Sequence, residues 1–190
     1  MKIKGLVEED FTNYKKTSMF IVFPVCDFKC DRESNNQVCQ NSSLNKLPSI
    51  EVSIDSVISH YINNPISHAI VCGGLEPFNS WSDLIQLITE FRNQTQDDIV
   101  IYTGYYENEI SDKLEILKQF PNIIVKFGRF IPGYQKHFDK TLGIYLASDN
   151  QYAEKISYIQ YQHILQSQQS PPPLQELLHR LQHSIRLCKR

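Results

Sequence analysis

The chain has few cysteines, little net charge and no long hydrophobic run. Each shortage narrows what it can be. Five cysteines in 190 residues are an odd count without the density of a disulfide-stapled fold. The opening residues, Met1-Lys2-Ile3-Lys4-Gly5, carry no apolar export signal. Both features predict reduced thiols and a cytoplasmic protein. Apolar runs stop far short of the roughly 20 residues of a membrane span. A net charge of −2 gives no electrostatic footprint for direct nucleic-acid or lipid binding. With 41% hydrophobic residues, the composition suits one domain with a proper core.

What the chain does have is a concentration of thiols. Cys26, Cys30 and Cys39 lie within Phe-Pro-Val-Cys-Asp-Phe-Lys-Cys-Asp-Arg-Glu-Ser-Asn-Asn-Gln-Val-Cys-Gln-Asn, directly after the apolar run Met19 to Val25. Iron–sulfur clusters generally take four cysteines, and structural zinc takes four side chains. Three ligands would leave one metal position free. From spacing alone, metal ligation and burial as small structural side chains are both open.

Periodicity predicts strands at 18–25, 68–72, 99–102 and 123–127, alternating with helices at 54–61, 83–91 and 107–120. Repeated strand–loop–helix units predict an α/β protein, a parallel sheet with crossover helices, as an open sheet or a partial barrel. In such sheets ligands sit beyond the carboxyl ends of the strands. Four loops then open to one face: the cysteine loop, Gly73-Gly74-Leu75-Glu76-Pro77, Thr103-Gly104-Tyr105-Tyr106 and Gly128-Arg129-Phe130. Gly73 and Gly74 expose bare backbone to a ligand, and Glu76 adds a carboxylate. An ordinary strand-to-helix turn is the competing reading of a glycine pair. Cys72 reads as a buried core residue.

The stretch from residue 157 is a different kind of sequence. It is rich in Gln and Ser, is broken at Pro171-Pro172-Pro173, and carries four basic residues against one acid. Leu174, Leu177, Leu178, Leu181, Ile185 and Leu187 recur at helical spacing. Residues 1–156 are therefore expected to form the functional domain, and 157–190 a hinge and basic amphipathic tail.

Five segments in order carry a resemblance: the cysteine loop ending Cys39-Gln40-Asn41; Gly73-Gly74-Leu75-Glu76-Pro77; Ile101-Tyr102-Thr103-Gly104-Tyr105; Lys126-Phe127-Gly128-Arg129-Phe130; and Leu146-Ala147-Ser148-Asp149-Asn150-Gln151. Together they resemble the radical S-adenosylmethionine superfamily, and within it the activating proteins of anaerobic ribonucleoside-triphosphate reductase. The resemblance implies a shortened partial (β/α) barrel with Cys26, Cys30 and Cys39 on three irons of a [4Fe-4S] cluster. S-adenosyl-L-methionine would sit on the fourth iron and be cleaved reductively to a 5′-deoxyadenosyl radical that installs a glycyl radical on the reductase. Cofactor contacts would come from Val38, Cys39, Asn41, Gly73, Gly74, Glu76, Tyr102, Thr103 and Gly104, with Ser148, Asn150 and Gln151 in the closing segment. No protein side chain is implied as a catalytic group, because the radical forms on the cofactor. The implied partners are the reductase large subunit or another glycyl-radical enzyme, and a flavodoxin- or ferredoxin-type electron donor.

The chain departs from that family in two places. The family spaces its cysteines CxxxCxxC, whereas here six residues, Asp31 to Asn36, are inserted before Cys39, reading as a solvent-exposed bulge. Where the family tends to place an acid before Gly-Arg-Phe, this chain has Phe127. Two other readings stand beside the radical enzyme that activates a reductase. One is a non-catalytic metal-binding module, holding zinc or a damaged cluster, that docks a partner; the other is a radical enzyme with a small-molecule substrate.

Overall fold

The computed structural model describes residues 1–156; the hinge and amphipathic tail expected at 157–190 lie outside them. In chain order the elements are β1 (Lys2–Ile3), β2 (Gly5–Asp10), β3 (Ser18–Phe23), α1 (Lys29–Ser34), β4 (Ile50–Glu51), α2 (Ile54–Ile62), β5 (Ala69–Gly74), α3 (Trp81–Gln94), β6 (Asp98–Tyr102), α4 (Ser111–Leu117), β7 (Ile123–Phe127), β8 (His137–Asp139), β9 (Ile144–Leu146) and β10 (Tyr152–Ile156). Short 3₁₀ turns occupy Ser42–Lys46, Pro77–Ser80 and Glu107–Glu109.

The main sheet has six strands in the order β10-β7-β6-β5-β3-β2. Its four central strands, β3, β5, β6 and β7, are parallel. They are covered on both faces, so their sequences are nearly unbroken apolar runs such as Ile-Ile-Val-Lys-Phe. The chain adds each new parallel strand beside the last. With right-handed crossovers this sends the intervening helices to one face. Accordingly Met19, Ile21, Phe23, Ile70, Cys72, Ile99, Ile101, Ile123 and Val125 pack with the apolar sides of α2, α3 and α4 in one core. Ser53 caps α2 by accepting from the Ser56 amide at 3.0 Å, and the stripe Ile54, Val57, Ile58, Tyr61 is buried as its spacing requires.

The opposite face carries Ala69, Val71, Val100 and Ile124. It is covered by Tyr14, Leu142 and Leu146, with Phe20, Tyr102 and Ile144 at its margin. Among the described residues no helix covers this smaller core, which leaves room for a cavity.

The structure corrects the reading of a purely parallel sheet. Both edge strands are antiparallel, β2 against β3 and β10 against β7, so the α/β class holds as a mixed sheet. The first parallel strand stops at Phe23, before Pro24, which has no amide hydrogen for the ladder. The helix read across 107–120 is divided. Glu107–Glu109 forms a 3₁₀ turn, and Ile110 leaves helical geometry (φ −133°) before α4 begins.

Candidate functional site

At the carboxyl ends of the four parallel strands lies a cavity of about 480 Å³, within the roughly 300–1,000 Å³ of small-ligand pockets. All four loops singled out from the sequence contribute. Cys26, Cys30, Cys39 and Asn41 line it from the first, Gly74 and Glu76 from the second, Thr103 and Gly104 from the third, and Gly128, Arg129 and Phe130 from the fourth. Tyr102 and Gln151 line it too, whereas Val38, Gly73, Ser148 and Asn150 are not among its walls.

The three thiols are free and partly buried, and each pair is close enough for charge on one sulfur to act on the other. Burial pushes Cys26 up to about 11. The Phe28 amide opposes that rise, while Glu76, Asp27 and Cys39 add to it. Burial, then the neighbouring Cys39 and Asp31, push Cys30 up to about 12. A metal reverses such preferences by binding the thiolate. Among the described residues, no three His, Cys, Asp or Glu groups close on a single ion. A 4Fe-4S cluster asks for something different, each thiolate on its own iron rather than all on one ion, and three thiols lining one cavity can serve three of its irons.

The first loop gets its shape from local bonds. Phe28 takes the left-handed conformation (φ 52°), a conformation costly for a bulky residue. Its amide donates to Cys26 Sγ at 3.2 Å. Cys30 then sits on α1, and the chain turns back through Asn35, also left-handed. Asp31 Oδ1 accepts from the amides of Val38 (2.8 Å) and Cys39 (2.7 Å). The insertion is therefore more than the polar bulge expected of it. Its outer residues are exposed, but Asp31 turns inward and closes the loop.

The glycine pair has a packing reason as well as an access reason. Gly74 has φ +83°, and a Cβ there would lie 2.5 Å from Val22 Cγ1. At Gly73 a Cβ would press the Phe20 ring at 3.1 Å. Asn41 Nδ2 donates to the Gly74 carbonyl at 2.7 Å, so the residue two places after Cys39 ties the cysteine loop to β5. The Glu76 amide donates to Val25 O at 2.9 Å, a second tie between the same loops.

Glu76 braces the site from beneath. Its Oε1 accepts from the Phe78 amide (3.1 Å) and the Thr103 hydroxyl (2.9 Å), and its Oε2 accepts from the Gly104 amide (2.9 Å). Burial pushes this carboxyl up to about 7 against the pull of those donors and of Lys126. Lys126 is itself buried, which pushes it down to about 7, with Glu76 drawing it back up. Its Nζ donates to Gly128 O at 2.8 Å. A lysine inside an apolar strand, Ile-Ile-Val-Lys-Phe, is the sequence signal for this wall.

The last wall is held by the closing segment. Gln151 accepts from the amides of Ala147 (3.1 Å) and Ser148 (3.2 Å) and donates to Gly128 O (3.2 Å). Asn150 donates to Arg129 O at 2.8 Å. Arg129 is buried, lies 4.9 Å from the Tyr106 ring centre, and pairs with Glu109 and, at 3.0 Å, with Glu33. Tyr102 is turned by its hydroxyl, which donates to Asn13 O at 2.5 Å.

A mixed α/β sheet whose loops bring three thiols to one ligand-sized cavity defines a cluster-binding domain. The family model described as a 4Fe-4S single cluster domain matches residues 16–152, and the chain belongs to that family. No curated protein and no solved structure matches it. An iron–sulfur cluster domain is thus established, consistent with a redox enzyme. Among the described residues, no helix is long and apolar enough to cross a membrane.

Proposed function

We propose that the protein is a radical S-adenosylmethionine enzyme of the glycyl-radical-activating kind, acting on an anaerobic ribonucleotide reductase. The observation that carries this reading is the shared cavity: three thiols at one rim and Gly74, Leu75 and Glu76 at the next strand end, inside a domain of the 4Fe-4S single cluster family. Cys26, Cys30 and Cys39 are the proposed cluster ligands. When bound, the reduced cluster supplies the electron that cleaves the cofactor's sulfonium bond.

The chain's own residues bind and orient. Gly74 presents a carbonyl already fixed by Asn41. Glu76 keeps the ends of β5 and β6 in register through Thr103 and Gly104. Tyr102, Thr103 and Gly104 form the wall proposed for the adenosyl end, and Arg129, Phe130 and Gln151 continue it from the next strand end. The core of the described domain contains no second substrate-binding fold, which favours a macromolecular substrate docking over the mouth. A flavodoxin- or ferredoxin-type donor and a cytoplasmic setting complete the proposal.

Anaerobic reconstitution followed by reduction tests it. We expect 5′-deoxyadenosine to form from S-adenosylmethionine only with reductant, and a glycyl radical to appear by electron paramagnetic resonance on an added reductase. A loaded cluster that never cleaves the cofactor would leave a non-catalytic cluster module instead.

A further inference from the structure

The six-residue insertion separates Cys30 from Cys39 and has to be closed if both are to meet one cluster. Closing such a loop carries an entropy cost that grows slowly with length, so a few well-placed bonds suffice. Asp31 supplies them. One oxygen of its carboxylate accepts from two consecutive amides, Val38 at 2.8 Å and Cys39 at 2.7 Å. The same oxygen stands 3.9 Å from Cys30 Sγ. A single charged group thus reaches the backbone of one thiol residue and the sulfur of another. The turn between them is locked separately, by Ser34 Oγ donating to Asn36 O at 2.9 Å and Asn36 Nδ2 donating to Ser34 O at 3.0 Å.

We infer that Asp31 is a positioning residue that holds Cys39 against the cluster and lowers the cluster's reduction potential with its negative charge. The inference rests on the assignment of Cys26, Cys30 and Cys39 as ligands. Two physical effects combine. Charge-assisted hydrogen bonds to backbone amides are short and roughly twice as strong as neutral ones, which fixes where Cys39 enters the site. Cluster potentials depend on net charge and on the hydrogen bonds around the sulfurs. A carboxylate here adds negative charge and engages the Cys39 amide, keeping that donor from a sulfur. Both effects push the potential down, which a strongly reducing centre needs.

The two roles separate in two variants. Asp31→Asn is isosteric and keeps a carbonyl oxygen for the two amides while removing the charge. Asp31→Ala removes both. We expect full-chain Asp31→Asn, reconstituted anaerobically, to bind iron at the wild-type ratio but to show a more positive reduction potential in a redox titration followed by electron paramagnetic resonance. Asp31→Ala should lose more than half of its iron, with unchanged far-ultraviolet circular dichroism of the apoprotein. Cys39→Ala is the control for the ligand assignment. Should both Asp31 variants match wild type in iron and potential while Cys39→Ala loses its iron, the role of Asp31 is refuted and the ligand set stands. Should Cys39→Ala keep its iron, the ligand assignment falls, and the inference with it.

Discussion

Replacing Glu76 by glutamine should loosen the floor of the cavity without emptying it. The amide keeps one oxygen for the Phe78 amide and the Thr103 hydroxyl, but its NH₂ then confronts the Gly104 N–H, a donor facing a donor. A buried donor left without an acceptor costs about 1–3 kcal/mol. Lys126 also loses its opposite charge. Since burial already holds Lys126 near 7, it can shed its proton at pH 7.5 for well under about 1 kcal/mol. The sum is about 2 kcal/mol, or a fall in Tm of about 4–8 °C at this chain length. Urea and thermal unfolding of the reduced apoprotein, followed by circular dichroism at pH 7.5, reads it. A Glu76→Gln variant within about 0.5 kcal/mol of wild type would refute the brace, because it would mean that the Gly104 amide finds another acceptor at no cost.

Gly74→Ala should destabilise by about 2–5 kcal/mol, combining the left-handed backbone with overpacking against Val22. Gly104→Ala, whose added Cβ meets nothing nearer than 3.7 Å, should cost less than about 1 kcal/mol; equal losses in unfolding melts would discount the Val22 clash. At Glu109 burial raises the carboxyl pKa, but hydrogen bonds from Arg129, Lys29 and the Tyr106 amide outweigh it and hold the group at about 2. A depressed acid contributes stability above its unfolded pKa and loses it as pH falls. Glu109→Gln should therefore cost about 1 kcal/mol at pH 7, after discounting for solvent screening, with the difference vanishing as pH falls below about 2. A pH-independent difference between the melting curves would contradict the pairing. Cys72 is fully buried in the helix-side core, so Cys72→Ala should lower stability yet keep the iron, as measured by metal analysis; iron loss equal to that of Cys39→Ala would contradict the ligand assignment.

The parts of the fold visible in the sequence are those whose burial is unambiguous. β3, β5, β6 and β7 are covered on both faces and so spell continuous apolar runs. The edge strands carry no such run because half of each faces solvent. Gly-Leu-Val-Glu-Glu-Asp and Tyr-Ala-Glu-Lys-Ile look polar, and although β2 pairs with the next long strand, β3, the partner of β10 is the sequence-distant β7. The loop positions followed from strand order alone, which is why the cavity lies where parallel-sheet topology places ligands. Side-chain direction was not legible. Thr103 and Gly104 bond to Glu76 while also facing the cavity, and Val38 is fixed through its backbone to Asp31. Asp31 gave no signal, since one carboxylate in a run of polar residues is indistinguishable from a solvated one until the chain closes around it.

Cys26, Cys30 and Cys39 are together proposed to hold a 4Fe-4S cluster with one iron open to a ligand. Mössbauer spectroscopy of anaerobically reconstituted, ⁵⁷Fe-loaded protein, with and without S-adenosylmethionine, tests it most directly. About four irons per chain are expected, each thiolate taking one. One quarter of the signal should change its isomer shift when the cofactor is added, and Cys39→Ala should abolish the spectrum. Four irons whose parameters ignore the cofactor, or an unaltered cluster in Cys39→Ala, would contradict the account.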